Sequence, residues 1–201
     1  MTYSLGFATY TYVSAALYAL IEIEIEGRDG WCKKLPTFTI KSGPFKNFTF
    51  YHLIMAAIVF LTNIYPLCLL QIKNDTLQWD TLRSNLMVNI FNITLWFGVE
   101  DFLWFVLNPY YTLKRYKRNL IQWHAWQPWP LGIPSHNYFS FALMLFCYHQ
   151  TRDIIMLYSL LLSGVYTGII IQAAPLYHKF YLSQKRHETT VIYYQDTSDL
   201  E

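Results

Sequence analysis

The chain has 201 residues, 54% of them hydrophobic, 19% aromatic and 14% charged, with a net charge of +2. Soluble domains carry about 25% charged residues, so this composition speaks against a soluble globular protein and for a single apolar domain embedded in a membrane. The net charge is too small, and the basic residues too scattered among separate loops, for a nucleic-acid-binding surface.

A membrane-spanning helix takes about 20 mostly apolar residues, and the candidates are residues 3–21, 50–70, 86–107, 138–149 and 154–176. The expected fold is all-α, a polytopic membrane helix bundle of about five transmembrane helices. Residues 1–182 read as one transmembrane domain and residues 183–201 as a mobile cytosolic tail. Cytoplasmic loops are rich in Lys and Arg. Assigning these residues to alternate loops puts twelve on one face and three on the other, which sets the N-terminus outside and the C-terminus in the cytosol.

The first stretch lacks the basic lead and cleavage site of a signal peptide, so it is expected to stay as an anchor. It runs into Glu22, Glu24 and Glu26. If the helix continues, Glu22 and Glu26 lie one turn apart on the face of Tyr18, where a cation, a nearby Lys or Arg, or a shared proton would relieve their repulsion. Glu24 and Glu26 read equally as hydrated groups paired with Arg28 or Lys33. His52 opens the second stretch at the same end, on the face of Asn63. Cys32, Cys68 and Cys147 lack metal-binding spacing; Cys68 and Cys147, near the outer ends of their spans, read as a disulfide or as two unpaired thiols. An Asn-Asp-Thr sequon at Asn74 marks a candidate glycosylation site.

In the third stretch Asn85, Asn89, Asn92, Trp96 and Glu100 fall on one helical stripe that should face the bundle interior. The Asn residues suit interhelical hydrogen bonding as well as they suit a site. Glu100 lies roughly 10 Å from the helix end, a depth at which a carboxylate needs a partner; Asp101 beside it faces a second neighbour or caps the same cluster. After Asn108 and Pro109 comes a basic, aromatic loop with Lys114, Arg115, Lys117 and Arg118 among Tyr111, Tyr116, Trp123, His124, Trp126 and Trp129. Such a loop lies on the membrane surface, either holding an anionic headgroup over the acidic cluster, with His124 or His136 reaching in, or serving only as topological signal. The fourth stretch is short for a span. In the fifth, Gly164 and Gly168 form a small face for packing within the bundle or for an oligomer, Pro175 should kink or end the helix, and His178 closes it.

The expected site gathers ionisable groups at one end of the helices, because such groups are expensive in a bilayer. Glu100, Asp101, His52 and Glu22 are the candidate acid/base groups, and Arg115, Arg118, Trp123, His124, Trp96 and Asn92 the candidate substrate contacts. Glu22, Glu100, His52 and His178 are the candidate ligands of a divalent metal such as Zn, Mn or Fe. The function expected is an intramembrane enzyme acting on a lipid or other apolar substrate. The alternatives are a proton- or cation-coupled transporter and a non-catalytic adaptor. With no GxSxG motif, acyl-enzyme chemistry is disfavoured.

Overall fold

The computed structural model describes residues 5–27, 35–41, 48–73, 79–121 and 123–198, without the side chains of residues 64–73, 80–81 and 186–198. Arg28, Cys32, Lys33, the Asn74 sequon and the Cys68 side chain fall outside the described residues. The described residues form five α-helices and no strand: α1 (Leu5–Glu26), α2 (Phe50–Lys73), α3 (Trp79–Leu107), α4 (Ser135–Thr151) and α5 (Ile154–Ser198). Two 3-10 turns, Leu113–Arg115 and Pro130–Gly132, shape the loop between α3 and α4.

The axis of the bundle is α3, which packs against each of the other four helices. Its polar stripe turns inward: Asn85, Asn92, Trp96 and Glu100 are buried, while Leu86 and Phe97 are exposed. Asn92 donates to Asn63 of α2 at 2.9 Å and accepts from Thr11 of α1, joining three helices through one carboxamide. The Trp96 indole donates to Ser14 of α1 at 3.1 Å, and Tyr12 of α1 meets Thr167 of α5 at 3.0 Å.

The outer faces are apolar instead. Tyr10, Val13, Leu17 and Ile21 form an exposed stripe on α1, and Tyr158, Leu161, Val165 and Ile169 form another on α5. The interior remains mainly apolar around this polar stripe, and the apolar stripes left on the outside are unlike the polar outer face of a helix in a water-soluble bundle. Two helical segments, Leu82–Leu107 and Ile154–Lys185, are long and apolar enough to cross a membrane.

Several local features refine the sequence reading. α4 begins at Ser135, so the short fourth stretch is lengthened at its N-terminal side to about 25 Å. A two-residue turn joins it to α5: Arg152 takes the left-handed conformation (φ 54°), its N–H bonds to Tyr148 O at 2.7 Å, and Asp153 Oδ1 accepts the Ile155 N–H at 3.0 Å. Pro175 stands inside α5 without ending it. This corrects the termination reading, and the helix continues through residue 198. A Cβ added at Gly164 or Gly168 would meet open space, so among the described residues no helix packs closely on that face. Cys147 is a free, buried thiol.

Candidate functional site

A cavity of about 370 Å³ lies where the ends of α1, α2 and α3 meet the loop that follows α3. Each polar lining residue is set there by helical phase. Glu22 and Glu26 are one turn apart on α1, His52 is in the first turn of α2, and Glu100 and Asp101 are adjacent on α3. Tyr18, Phe48, Met55, Val59, Trp96, Phe97, Trp104, Phe105 and Trp123 form the apolar remainder. Among the described residues no Lys or Arg lines it.

Glu22 of α1 and Glu100 of α3 both line the cavity, so two carboxyl groups meet at one place with no Lys or Arg beside them among the described residues. Glu100 Oε1 is buried without a hydrogen-bond partner among the described residues. Glu26, expected to be hydrated, is instead 5% exposed at its side chain and stands 3.9 Å from His52 Nε2. Thr49 orients that imidazole: its Oγ1 accepts the His52 N–H at 3.3 Å and meets Nδ1 at 2.6 Å. The two contacts to Thr49 fix the ring with its Nε2 edge facing Glu26. Glu24 pairs with Lys185 of α5 at 3.8 Å; the loop cations suggested by sequence, Arg28 and Lys33, lie outside the described residues.

The loop after α3 carries the second half of the site. Asn108 ends α3 and ties it to α1, donating to Gly27 O at 3.1 Å and accepting the Tyr110 N–H at 3.0 Å. An aromatic cluster then holds the loop against α3: Trp123 lies 6.0 Å from Trp104 and 6.1 Å from Phe105 between ring centres, and Tyr116 packs at 5.0 Å on Phe105. Burial pushes the Tyr116 phenol above its ordinary pKa, helped by the Asp101 carboxylate and opposed by a hydrogen bond with Asn137. The cluster brings His124 and His136 to Asp101, with His124 Nε2 at 3.2 Å from Oδ1 and His136 Nε2 at 3.5 Å from Oδ2.

Gln127 is 3% exposed and locks this arrangement from behind. Its Oε1 accepts from Ser135 Oγ at 3.0 Å and from the His136 N–H at 3.1 Å, so its amide nitrogen is the end that faces His136 Nδ1 at 2.7 Å and His124 Nδ1 at 3.4 Å. The donor opposite Nδ1 leaves the His124 ring proton on Nε2, toward Asp101 Oδ1, whereas the His136 ring stands between two amide donors. Asn137 Nδ2 stands 3.3 Å from His136 Nε2.

The donor atoms of Asp101, His124 and His136 lie within 4.8 Å of one another and could hold a metal ion. A metal on the two Nε2 atoms needs the ring protons on Nδ1, and the Gln127 carboxamide must then turn its oxygen toward them. That turn sets the Gln127 amide nitrogen against the His136 N–H and leaves a buried donor unsatisfied, a cost of about 1–3 kcal/mol that ion binding would have to exceed.

The cavity thus brings together Glu22, Glu100, Asp101 and His52, and with them Trp96 and Trp123. His178 is not among its lining residues: its Nε2 bonds to the Leu107 carbonyl at the end of α3, at 3.1 Å. Asn92 is engaged with Thr11 and Asn63. Arg115 and Arg118 are also outside the lining, closing the loop on itself by bonds to Tyr110 O at 2.8 Å and Ala125 O at 3.0 Å. Gln127 was not legible in the sequence; a lone glutamine between Trp126 and Pro128 carries no pattern. No protein-family model, curated protein or solved structure matches the chain.

Proposed function

We propose that this chain is an integral, multi-pass membrane enzyme of five spans that acts on a lipid or another apolar substrate by acid/base chemistry at the cavity. A divalent ion of the zinc, manganese or iron kind is its cofactor class. The observation that carries the reading is the Glu22–Glu100 pair in the wall of a largely aromatic cavity. One member would serve as the acid and the other as the base, the arrangement by which two carboxyls take different roles. Glu100 Oε1, buried without a partner among the described residues, would meet a substrate.

The aromatic walls suit an apolar body. Among the described residues no Lys or Arg stands beside the acidic wall, which favours a substrate whose reacting end is neutral or cationic. The exposed apolar stripes of α1 and α5 support a lipid-facing exterior. A conduit is less well supported. Beyond Trp96, the Asn92, Asn63 and Thr11 side chains close the polar stripe by bonding to one another. A pure packing role gives no return for an orphaned carboxylate oxygen.

The test is mass spectrometry of a total lipid extract reconstituted with wild-type protein or with Glu100→Gln, compared over time. Wild type is expected to convert at least one apolar species, and Glu100→Gln to slow that conversion by about a hundredfold or more while retaining its helical circular dichroism. No species changing with wild type would sink the enzyme reading. Proton flux that depends on Glu100 would replace it with the transporter.

A further inference from the structure

Two buried carboxylate oxygens at this site lack a hydrogen-bond donor among the described residues. They are Glu100 Oε1 and Asp101 Oδ2, from adjacent residues on the same turn of α3, both lining the cavity. Buried acceptors are nearly always satisfied, and an exception asks for a cause. His136 Nε2 approaches Asp101 Oδ2 at 3.5 Å without making a hydrogen bond, whereas His124 Nε2 bonds to Oδ1 at 3.2 Å. Two oxygens needing positive charge and two imidazoles beside them are what a metal ion would join.

We propose that Asp101, His124 and His136 bind one divalent transition-metal ion, zinc or iron(II), in the cavity wall, with Glu100 beside its open positions. The imidazoles stand 3.2 and 3.5 Å from different oxygens of Asp101, and all three donor groups lie within 4.8 Å of one another, so an ion with bonds near 2.1 Å would draw the widest pair in toward a tetrahedral edge of about 3.4 Å. Two imidazoles and one carboxylate form the donor set of catalytic zinc and of mononuclear non-haem iron, whereas calcium and magnesium take oxygen ligands. Asp101 and His136 line the cavity, so the remaining coordination positions open onto it, as a catalytic rather than a structural metal requires.

This ligand set differs from the one suggested by sequence. Only the neighbourhood of Glu100 is common to both, and His178 is bonded to the α3 terminus instead. The second shell is also specific. Gln127 touches Nδ1 of both imidazoles, the atoms through which outer-shell partners tune metal-bound histidines. A carboxylate at that position would keep accepting from Ser135 and the His136 N–H while offering an acceptor to both Nδ1–H groups. The metal is inferred within the enzyme reading above, but its binding can be measured without any substrate.

The experiment is equilibrium dialysis of the chelator-stripped, full-length protein in detergent against Zn²⁺ or anaerobic Fe²⁺, with ion content determined by elemental analysis. Wild type is expected to take up one ion per chain. Asp101→Asn and His136→Ala should lose it, and His178→Ala should keep it. Gln127→Glu should tighten binding by about tenfold, a gain that misfolding cannot imitate. Folded wild type that binds neither ion overturns the proposal, as does retention of the ion in folded Asp101→Asn/His136→Ala. Ion binding without any lipid conversion would overturn the enzyme reading and leave the metal site standing. Glu100-dependent conversion by metal-free protein would do the reverse.

Discussion

Asn92 shows what a polar side chain does inside this bundle. It is fully buried on α3 and satisfies partners on two other helices at once, Asn63 and Thr11. Asn92→Ala would leave both without their shared partner, at a cost of about 1–2 kcal/mol. Thermal unfolding in detergent should register this as a clear loss, with the metal content of the purified protein unchanged. An unaltered midpoint would show that the three-helix junction contributes no net stability. His124 and His136 differ from Asn92 in how they are placed. Asn92 could be assigned to the interior from helical phase alone, since it continues the face of Asn85, Trp96 and Glu100. The two histidines lie in or just after a loop whose path depends on ring packing around Phe105 and on a positive φ at Thr112 and Leu131. Neither has a period that can be read along the chain.

At the scale of the elements, hydrophobic runs located all five helices, and phase within them brought Glu22, Glu100 and His52 to one end. Phase failed for His178 because the fifth helix does not close there. It continues to Ser198, and the imidazole turns onto the end of α3. The 45 residues of α5 span about 68 Å, more than twice a hydrocarbon core of about 30 Å, so an upright α5 projects well beyond the bilayer. The exposed stripes offer a direct test of the lipid-facing assignment. Leu17 is 56% exposed and Leu161 68%. Either one changed to Arg would be almost neutral on a water-facing surface, but costs about 3 kcal/mol near the centre of a membrane helix. Insertion efficiency of Leu17→Arg and Leu161→Arg should fall severalfold. Wild-type insertion of both would remove lipid from those faces.

The arrangement of the whole molecule rests on charge bias as much as on helices. The five-span reading with the N-terminus outside predicts that the loop after α3 and the last turns of α5 face the cytosol, with the α4–α5 turn opposite. In a variant whose native cysteines are replaced by serine, Arg118→Cys and Lys185→Cys should react with an impermeant maleimide from one side of sealed vesicles, and Arg152→Cys from the other. Reaction of all three from a single side would exclude the alternation. The same charge pattern was visible from the sequence, because it needs only the assignment of basic residues to loops. The cavity was not visible, because its volume depends on how three helix ends and a folded loop sit together.

The wall formed by α2 gives this cavity a further property. α2 packs mainly on α3, and among the described residues it meets α1 through Tyr18 Oη donating to Met55 O at 2.9 Å and through Glu26 facing His52 at 3.9 Å. A seam held by such contacts costs about 1 kcal/mol for each hydrogen bond to part, far less than separating two interdigitated apolar faces. A hydrophobic molecule could therefore pass sideways between these two helices, directly from the bilayer to the carboxyl pair, without crossing water on its way.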